Sequence, residues 1–163
     1  MRTGIGYDIH RLAAGRRLVI GGVEISHPVG LAGHSDADVL LHAISDALLG
    51  AAALGDIGQH FPPSDPQYHD ISSRLLLARV RRMVERAGFD VGNVDATVIA
   101  ESPRLSPHYP EMRRRIAETL GLSVDRVSVK ASTPEGLGAL GRAEGIAAFA
   151  VATLLSSGDP PMR

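Results

Sequence analysis

Thr3-Gly-Ile-Gly-Tyr-Asp-Ile-His-Arg-Leu12 reads as a first strand, and its polar end carries most of what the chain reveals. Successive side chains of an extended segment point to opposite faces. Asp8 and His10 therefore project from one side, and Ile9 is expected to enter the core on the other. A carboxylate and an imidazole are hard-to-borderline ligands that suit zinc, and His42 on the first helix offers a third. Three protein ligands leave one coordination position free for a substrate oxygen, the pattern of a catalytic site. The chain has no cysteine, which excludes a thiolate-based structural zinc site. Spacing alone leaves a metal set and three ordinary polar residues equally open.

Downstream, Arg17-Leu-Val-Ile-Gly-Gly-Val-Glu-Ile25 holds two short β runs around Gly21-Gly22, a hairpin signal. A loop rich in glycine and histidine leads to Ser35, which would cap a helix over residues 36–53 with Asp38 as the capping-box acid. Leu40, Ile44, Ala47, Leu48 and Ala51 form its apolar stripe, with Asp38, His42 and Asp46 opposite. Residues 55–70 read as a loop, because Pro62, Pro63 and Pro66 exclude regular structure. Helices are expected over 73–87, stopping at Gly88, and over 108–120, closed by Gly121; strands are expected over 94–100 and 127–131. The Ala-rich stretch 146–155 fits helix or strand by pattern. No repeat or linker divides the chain, so residues 1–157 form one expected domain and 158–163 an expected disordered tail.

At 163 residues the chain is long enough for one sizeable core. A net charge of -1 argues against nucleic-acid or membrane-surface partners, which favour a basic excess. No apolar run approaches a membrane span, and strand-like sequence from Thr3 argues against a leader. Zero cysteines accord with a reducing bacterial cytoplasm, the expected location.

Other polar words are candidate binding groups. His34 and Ser35 precede a helix, where free N–H groups and the dipole attract an anion; capping by Ser35 explains them equally. Gly55-Asp-Ile-Gly58 offers a carboxylate on a tight turn, suited to sugar-like hydroxyls or to simple helix termination. Lys130-Ala-Ser-Thr-Pro-Glu135 sets two hydroxyls, an acid and a cation at a strand end. That could hold a diphosphate and a hard cation such as magnesium, or be only a capped turn. Asp46, one turn past His42, could hold that imidazole's second nitrogen or equally be a plain solvated acid. Gly136-Leu-Gly-Ala-Leu-Gly141 satisfies the dinucleotide-binding pattern, but too little chain follows for the helix, strand and acid such a unit needs.

Longer words occur in order: Gly6-Tyr-Asp-Ile-His10, Gly33-His-Ser-Asp-Ala-Asp-Val39, His42-Ala-Ile-Ser-Asp-Ala-Leu-Leu-Gly50, Ala53-Leu-Gly-Asp-Ile-Gly58, Phe61-Pro-Pro-Ser-Asp-Pro66, Lys130-Ala-Ser-Thr133, Glu135-Gly-Leu-Gly138 and Gly141-Arg-Ala-Glu-Gly145. Over about residues 3–155 the chain resembles the 2-C-methyl-D-erythritol 2,4-cyclodiphosphate synthase family of the non-mevalonate route to isoprenoids. The resemblance implies an α+β subunit: a mixed four-stranded sheet plus a small hairpin, with helices on one face. It implies a homotrimer with sheets around the three-fold axis and active sites between neighbours, and makes 146–155 a strand. The implied reaction cyclises 4-diphosphocytidyl-2-C-methyl-D-erythritol 2-phosphate and expels CMP. The substrate's own 2-phosphate attacks its β-phosphorus, so no activated Ser or Cys is needed.

By matching position, the resemblance would have Asp8, His10 and His42 bind zinc, and Glu135 bind magnesium or manganese with the substrate diphosphate. His34 and Thr133 would stabilise the transition state, and Ser35 would hold the attacking phosphate. Asp56, Ile57 and Gly58 would grip the erythritol hydroxyls, with Phe61 and Asp65 also touching substrate. Ala100, Arg104, Leu105, Ser106, Ala131 and Ser132 would form the cytidine and diphosphate pocket. Arg142, with Glu144, would stand at a central cavity that in relatives can hold an isoprenoid diphosphate. Pro63 replaces a common acid, Ala139 a usual aromatic, Arg104 a lysine and Ser132 a threonine. A zinc hydrolase of small phosphate esters and a non-catalytic isoprenoid-diphosphate module are the competing readings.

Overall fold

The computed structural model describes residues 1–158, so the expected disordered tail lies, beyond Gly158, outside the described residues. Four strands come first: β1 (Arg2–Ala14), β2 (Leu18–Ile20), β3 (Val23–Ile25) and β4 (Val29–Leu31). Then follow α1 (Val39–Ala52), the single turn α2 (Ile57–His60), α3 (Ser73–Arg86), β5 (Phe89–Ile99), α4 (Tyr109–Leu120), β6 (Val127–Ser132), the single turn α5 (Gly138–Gly141) and β7 (Gly145–Ser156). The fold is α+β, with one mixed sheet in the order β4-β1-β7-β5-β6 and β2–β3 as a separate hairpin.

The sheet thus has five strands rather than four. The extra one, Val29–Leu31, is too short to show a period in sequence, yet it pairs with the end of β1 through Leu12 and Leu31. Among the described residues only β5 and β6 run parallel, joined by the longer connection through α4 that parallel pairing requires. The stretch that fitted helix or strand is β7, inserted antiparallel between β1 and β5.

Helices cover one face: α1 crosses β1 and β7, α3 packs on α1 and β5, and α4 packs on β6 and α3. Asp8 and His10 share a side of β1, as expected, but the assignment of Ile9 is corrected. Ile5, Tyr7 and Ile9 are 70%, 48% and 49% exposed on the bare face, and the ligand pair lies on the helix side with Gly4 and Gly6. The reason is steric. A Cβ at Gly4 would stand 2.1 Å from the Ala47 carbonyl oxygen, and one at Gly6 1.9 Å from that of Ala43. Backbone therefore lies on backbone, and only residues without a side chain fit between. On β7, Ala148, Ala150 and Ala152 are buried while Phe149 and Val151 face outward beside Tyr7 and Ile5.

The apolar stripe of α1 is buried as expected, and Leu41 and Leu49 are too, so the helix is enclosed almost all round. Its start differs from expectation: Asp38, not Ser35, is the N-cap, accepting from the Leu41 N–H at 3.1 Å. Asp38 also accepts from Gly21 and Gly22, whose positive φ of 62° and 74° turns both amides of the hairpin inward. Full burial pushes its carboxyl up to about 6 despite these three donors. Within the expected loop 55–70, α2 and a 3-10 turn at Pro66–Tyr68 form, each opened by an aspartate that accepts backbone N–H groups. The Gly136–Gly141 match makes one helical turn that leads into β7, not a dinucleotide unit. Among the described residues no helix is long and apolar enough to cross a membrane.

Candidate metal centre and active site

β1 brings Asp8 and His10 to the end of the sheet, and α1, pressed onto it at Gly4 and Gly6, lowers His42 onto them. Asp8 Oδ2, His10 Nε2 and His42 Nδ1 form a nearly equilateral triangle with sides of 2.9, 3.0 and 3.1 Å. These are the only His, Cys, Asp or Glu side chains among the described residues whose ligand atoms cluster as a metal set. Tetrahedral zinc with bonds of 2.0–2.1 Å holds its ligands about 3.4 Å apart, so the triangle needs only slight expansion. Burial alone would raise the Asp8 carboxyl, but hydrogen bonds from His10 and His42 overturn that and hold it well below the usual carboxylate range. Burial likewise opposes charging of His10, yet Asp8 and the Ala32 carbonyl outweigh it and raise its pKa.

Both imidazoles are oriented from behind. His10 Nδ1 donates to the Ala32 carbonyl at 2.7 Å, leaving Nε2 to face the triangle. Gly33 clears the way: a Cβ there would press on the His10 ring at 3.2 Å. Behind His42, Nε2 meets the Ser73 hydroxyl at 2.9 Å, and Ser73 in turn donates to the Asp36 carboxylate. Asp46 takes neither of the two roles left open for it: its carboxylate accepts the Ile57 N–H at 2.7 Å and so pins the turn that begins α2.

A cavity of about 180 Å³ opens beside the triangle. Among the sequence candidates it gathers His34, Ser35, Ile57, Gly58 and Phe61, next to His10 and His42. Its outer wall is apolar, with Phe61 set edge-on to Tyr68 and the Pro63 ring beside them. The positive end of α1 is capped by the Asp38 carboxylate, not by Ser35. Ser35 instead accepts the Ala37 N–H at 3.0 Å and stands 3.2 Å from His42 Nε2. Asp56 lies outside the cavity lining and caps α2 through the Gln59 N–H. Asp65 lines a neighbouring hollow with His34 and His69.

Most of the remaining candidates lie at a second cavity of about 220 Å³ at the ends of β5 and β6. Ala100, Arg104, Leu105, Ser106, Ala131, Ser132 and Thr133 line it. Thr133 donates to Glu135, which holds a left-handed φ of 53°. Lys130 is not part of this group, because it pairs with Asp95 across the two strands. Arg142 is outside both cavities, with its Nε on Glu144 at 2.7 Å. Ile9, Ala147, Ile99 and Ser132 are successive register partners across β1, β7, β5 and β6. The two cavities therefore open at the same end of the sheet, three strand spacings or roughly 14 Å apart. Within one chain, His34 and Thr133 are not brought together.

Comparison with known proteins agrees with this geometry. The model of the YgbB family matches residues 1–155. The chain belongs to the YgbB family. A 2-C-methyl-D-erythritol 2,4-cyclodiphosphate synthase of Syntrophomonas wolfei is 66% identical over 151 residues, covering 93% of this chain and 96% of the relative. One from Geobacter sulfurreducens is 61% identical over the same shares. A solved 2C-methyl-D-erythritol-2,4-cyclodiphosphate synthase matches with a TM-score of 0.87 at 38% identity, over 94% of this chain and all of that one. The IspF of Plasmodium falciparum in its CDP complex matches with a TM-score of 0.84 at 34% identity, over 96% and 97% of the two chains.

Sequence reading of this YgbB-family chain missed Ser73 and Asp36 behind His42, and Tyr68 and Leu76 in the cavity wall. Ser73 was legible only as the start of a helix. Its contacts with residues 36 and 42 span 37 and 31 positions, beyond any local pattern.

Proposed function

We propose that this chain cyclises 4-diphosphocytidyl-2-C-methyl-D-erythritol 2-phosphate to 2-C-methyl-D-erythritol 2,4-cyclodiphosphate and CMP, the chemistry for which its close relatives are named. The observation that carries the reading is the carboxylate–imidazole triangle at the mouth of a cavity that also presents His34 and Ser35. An oxygen of the 2-phosphate attacks the β-phosphorus; the bond from that phosphorus to the bridging oxygen breaks, and CMP leaves with the bridging oxygen. Phosphoryl transfer of this kind asks a protein for positioning and charge neutralisation rather than a nucleophile.

Asp8, His10 and His42 would hold zinc, and Glu135 a magnesium ion with the diphosphate; bound there, they would supply Lewis-acid polarisation and charge neutralisation at the phosphates. Ser35 holds the 2-phosphate in line, and His34 and Thr133 donate to oxygens on which charge develops. The Ile57–Gly58 turn and Phe61 enclose the erythritol carbons, with Asp56 and Asp65 accepting from its hydroxyls at the rim. Backbone groups of Ala100, Leu105, Ala131 and Ser132, with Arg104 and Ser106, receive the cytidine diphosphate end; two solved neighbours carry CDP.

The same proposal includes a homotrimer, with the metal cavity of one protomer completed by the second cavity of its neighbour. Its support is the bare apolar strip of Ile5, Tyr7, Ile9, Phe149 and Val151 and the distance between cavities within one chain. A cytoplasmic location belongs to this reading. For an isoprenoid diphosphate at Arg142 the geometry adds no support, because that guanidinium is paired with Glu144 and Ala139 supplies no ring.

The test incubates purified protein with the cytidylyl substrate, zinc and magnesium, and follows CMP and the phosphorus products. Equimolar CMP and cyclic diphosphate are expected, abolished by EDTA and restored by both cations. A free erythritol phosphate in place of the cyclic product would make the protein a hydrolase instead.

A further inference from the structure

We infer that Ser73 and Asp36 are positioning residues of the metal centre, acting through His42; the inference rests on the triangle being a zinc site. His42 turns Nδ1 toward Asp8 and His10. With a cation held in the triangle Nδ1 would be a ligand without a proton, so the imidazole proton would sit on Nε2, 2.9 Å from the Ser73 hydroxyl. That hydroxyl gives its own hydrogen to Asp36 and therefore presents a lone pair to the imidazole. Proton order along His42, Ser73 and Asp36 is fixed from the carboxylate end, as when a ligating histidine donates to an acid, with a hydroxyl interposed. Ser35 stands farther from Nε2, at 3.2 Å, and no carboxylate accepts its hydrogen.

A purely structural role does not explain the arrangement. Asp36 does cap α3, taking the Ser73 N–H on both oxygens at 3.1 Å. That bond needs only the backbone of residue 73. Ser73 is nevertheless a buried serine whose Oγ lies between an imidazole and a carboxylate. In the zinc-loaded centre the two imidazoles would thereby be held in opposite tautomers: His10 protonated on Nδ1 against Ala32, His42 on Nε2 against Ser73.

The experiment measures zinc affinity by chelator competition on the intact protein. Ser73→Ala keeps the backbone cap and removes only the hydroxyl; its zinc Kd should rise about 10- to 100-fold. At saturating zinc, its KM for substrate should hold while kcat falls. Ser45→Ala, which deletes a buried hydroxyl bonded only to the Leu41 carbonyl, should leave the zinc Kd unchanged. A Ser73→Ala Kd within threefold of wild type overturns the inference, whereas a wild type that binds no zinc overturns the metal reading itself. Nitrogen-15 spectra of zinc-loaded wild type give an answer even if the variant does not fold. One ligating histidine protonated on Nδ1 and one on Nε2 is the expected pattern; both protonated on Nδ1 refutes the inference.

Discussion

The two cavities at the end of the sheet are built differently. In the metal cavity each ligand is held by a partner distant in sequence: His10 by Ala32, His42 by Ser73, and Asp8 by both imidazoles. In the second cavity Arg104 reaches Ser106 and Thr133 reaches Glu135, both near neighbours, Glu101 reaches farther to accept the Gly136 N–H, and Ser132 and Thr133 are exposed. The first is assembled by folding and ready before anything binds. The second is a pair of strand ends whose backbone is fixed and whose side chains are free to adapt. Preorganisation is concentrated where a cation must be gripped, and that contrast can be tested.

The largest effect is expected from Asp8→Ala with His42→Ala. Zinc content should vanish and CMP release fall by about 10³-fold or more, since metal polarisation contributes several kcal/mol. Undiminished release would end the metal assignment. Gly6→Ala comes next: its Cβ would meet the Ala43 carbonyl at 1.9 Å, forcing α1 off β1. A loss of about 3 kcal/mol in denaturant unfolding is expected, with weaker zinc binding alongside. Wild-type stability would show that the helix–strand contact does not set the site.

Thr133→Ala probes the adaptable cavity. Its kcat should fall about 30-fold through one lost bond to a charged phosphate, with zinc Kd and stability unchanged. A shifted zinc Kd would mean that the cavities are not independent. The smallest effect is on pH. His10 has a raised pKa, so in metal-free protein its protonation stabilises the fold below the ordinary imidazole value and fades as pH climbs through the raised one. Zinc competes with that proton, so affinity should move the opposite way, weakening by up to about tenfold per unit as pH falls through the His10 pKa. Parallel melts with and without zinc check both signs; equal slopes would remove His10 from the ligand set.

Much of this was legible from local pattern. The Gly21-Gly22 hairpin, the ends of α3 and α4 at Gly88 and Gly121, and the Asp-x-His word all follow from neighbours in sequence. What was misread depends on distant contacts. Asp38 caps α1 because the hairpin amides meet it there, and local capping rules cannot see those. Ile9 faces outward because Gly4 and Gly6 admit a helix to the other side, and alternation alone does not say which face is covered. Asp46 turned to the Ile57 amide, an acceptor role that spacing on α1 does not distinguish from service to His42.

Contact between bare backbones of β1 and α1 has a consequence for how such a centre can change. At Gly4 and Gly6 no side chain separates the two elements, so there is no shim there to thicken or thin. The gap between His10 and His42 is a dimension of the core itself. Descendants of this fold can alter what the cage prefers by exchanging a coordinating group, but widening it would require rebuilding the interior.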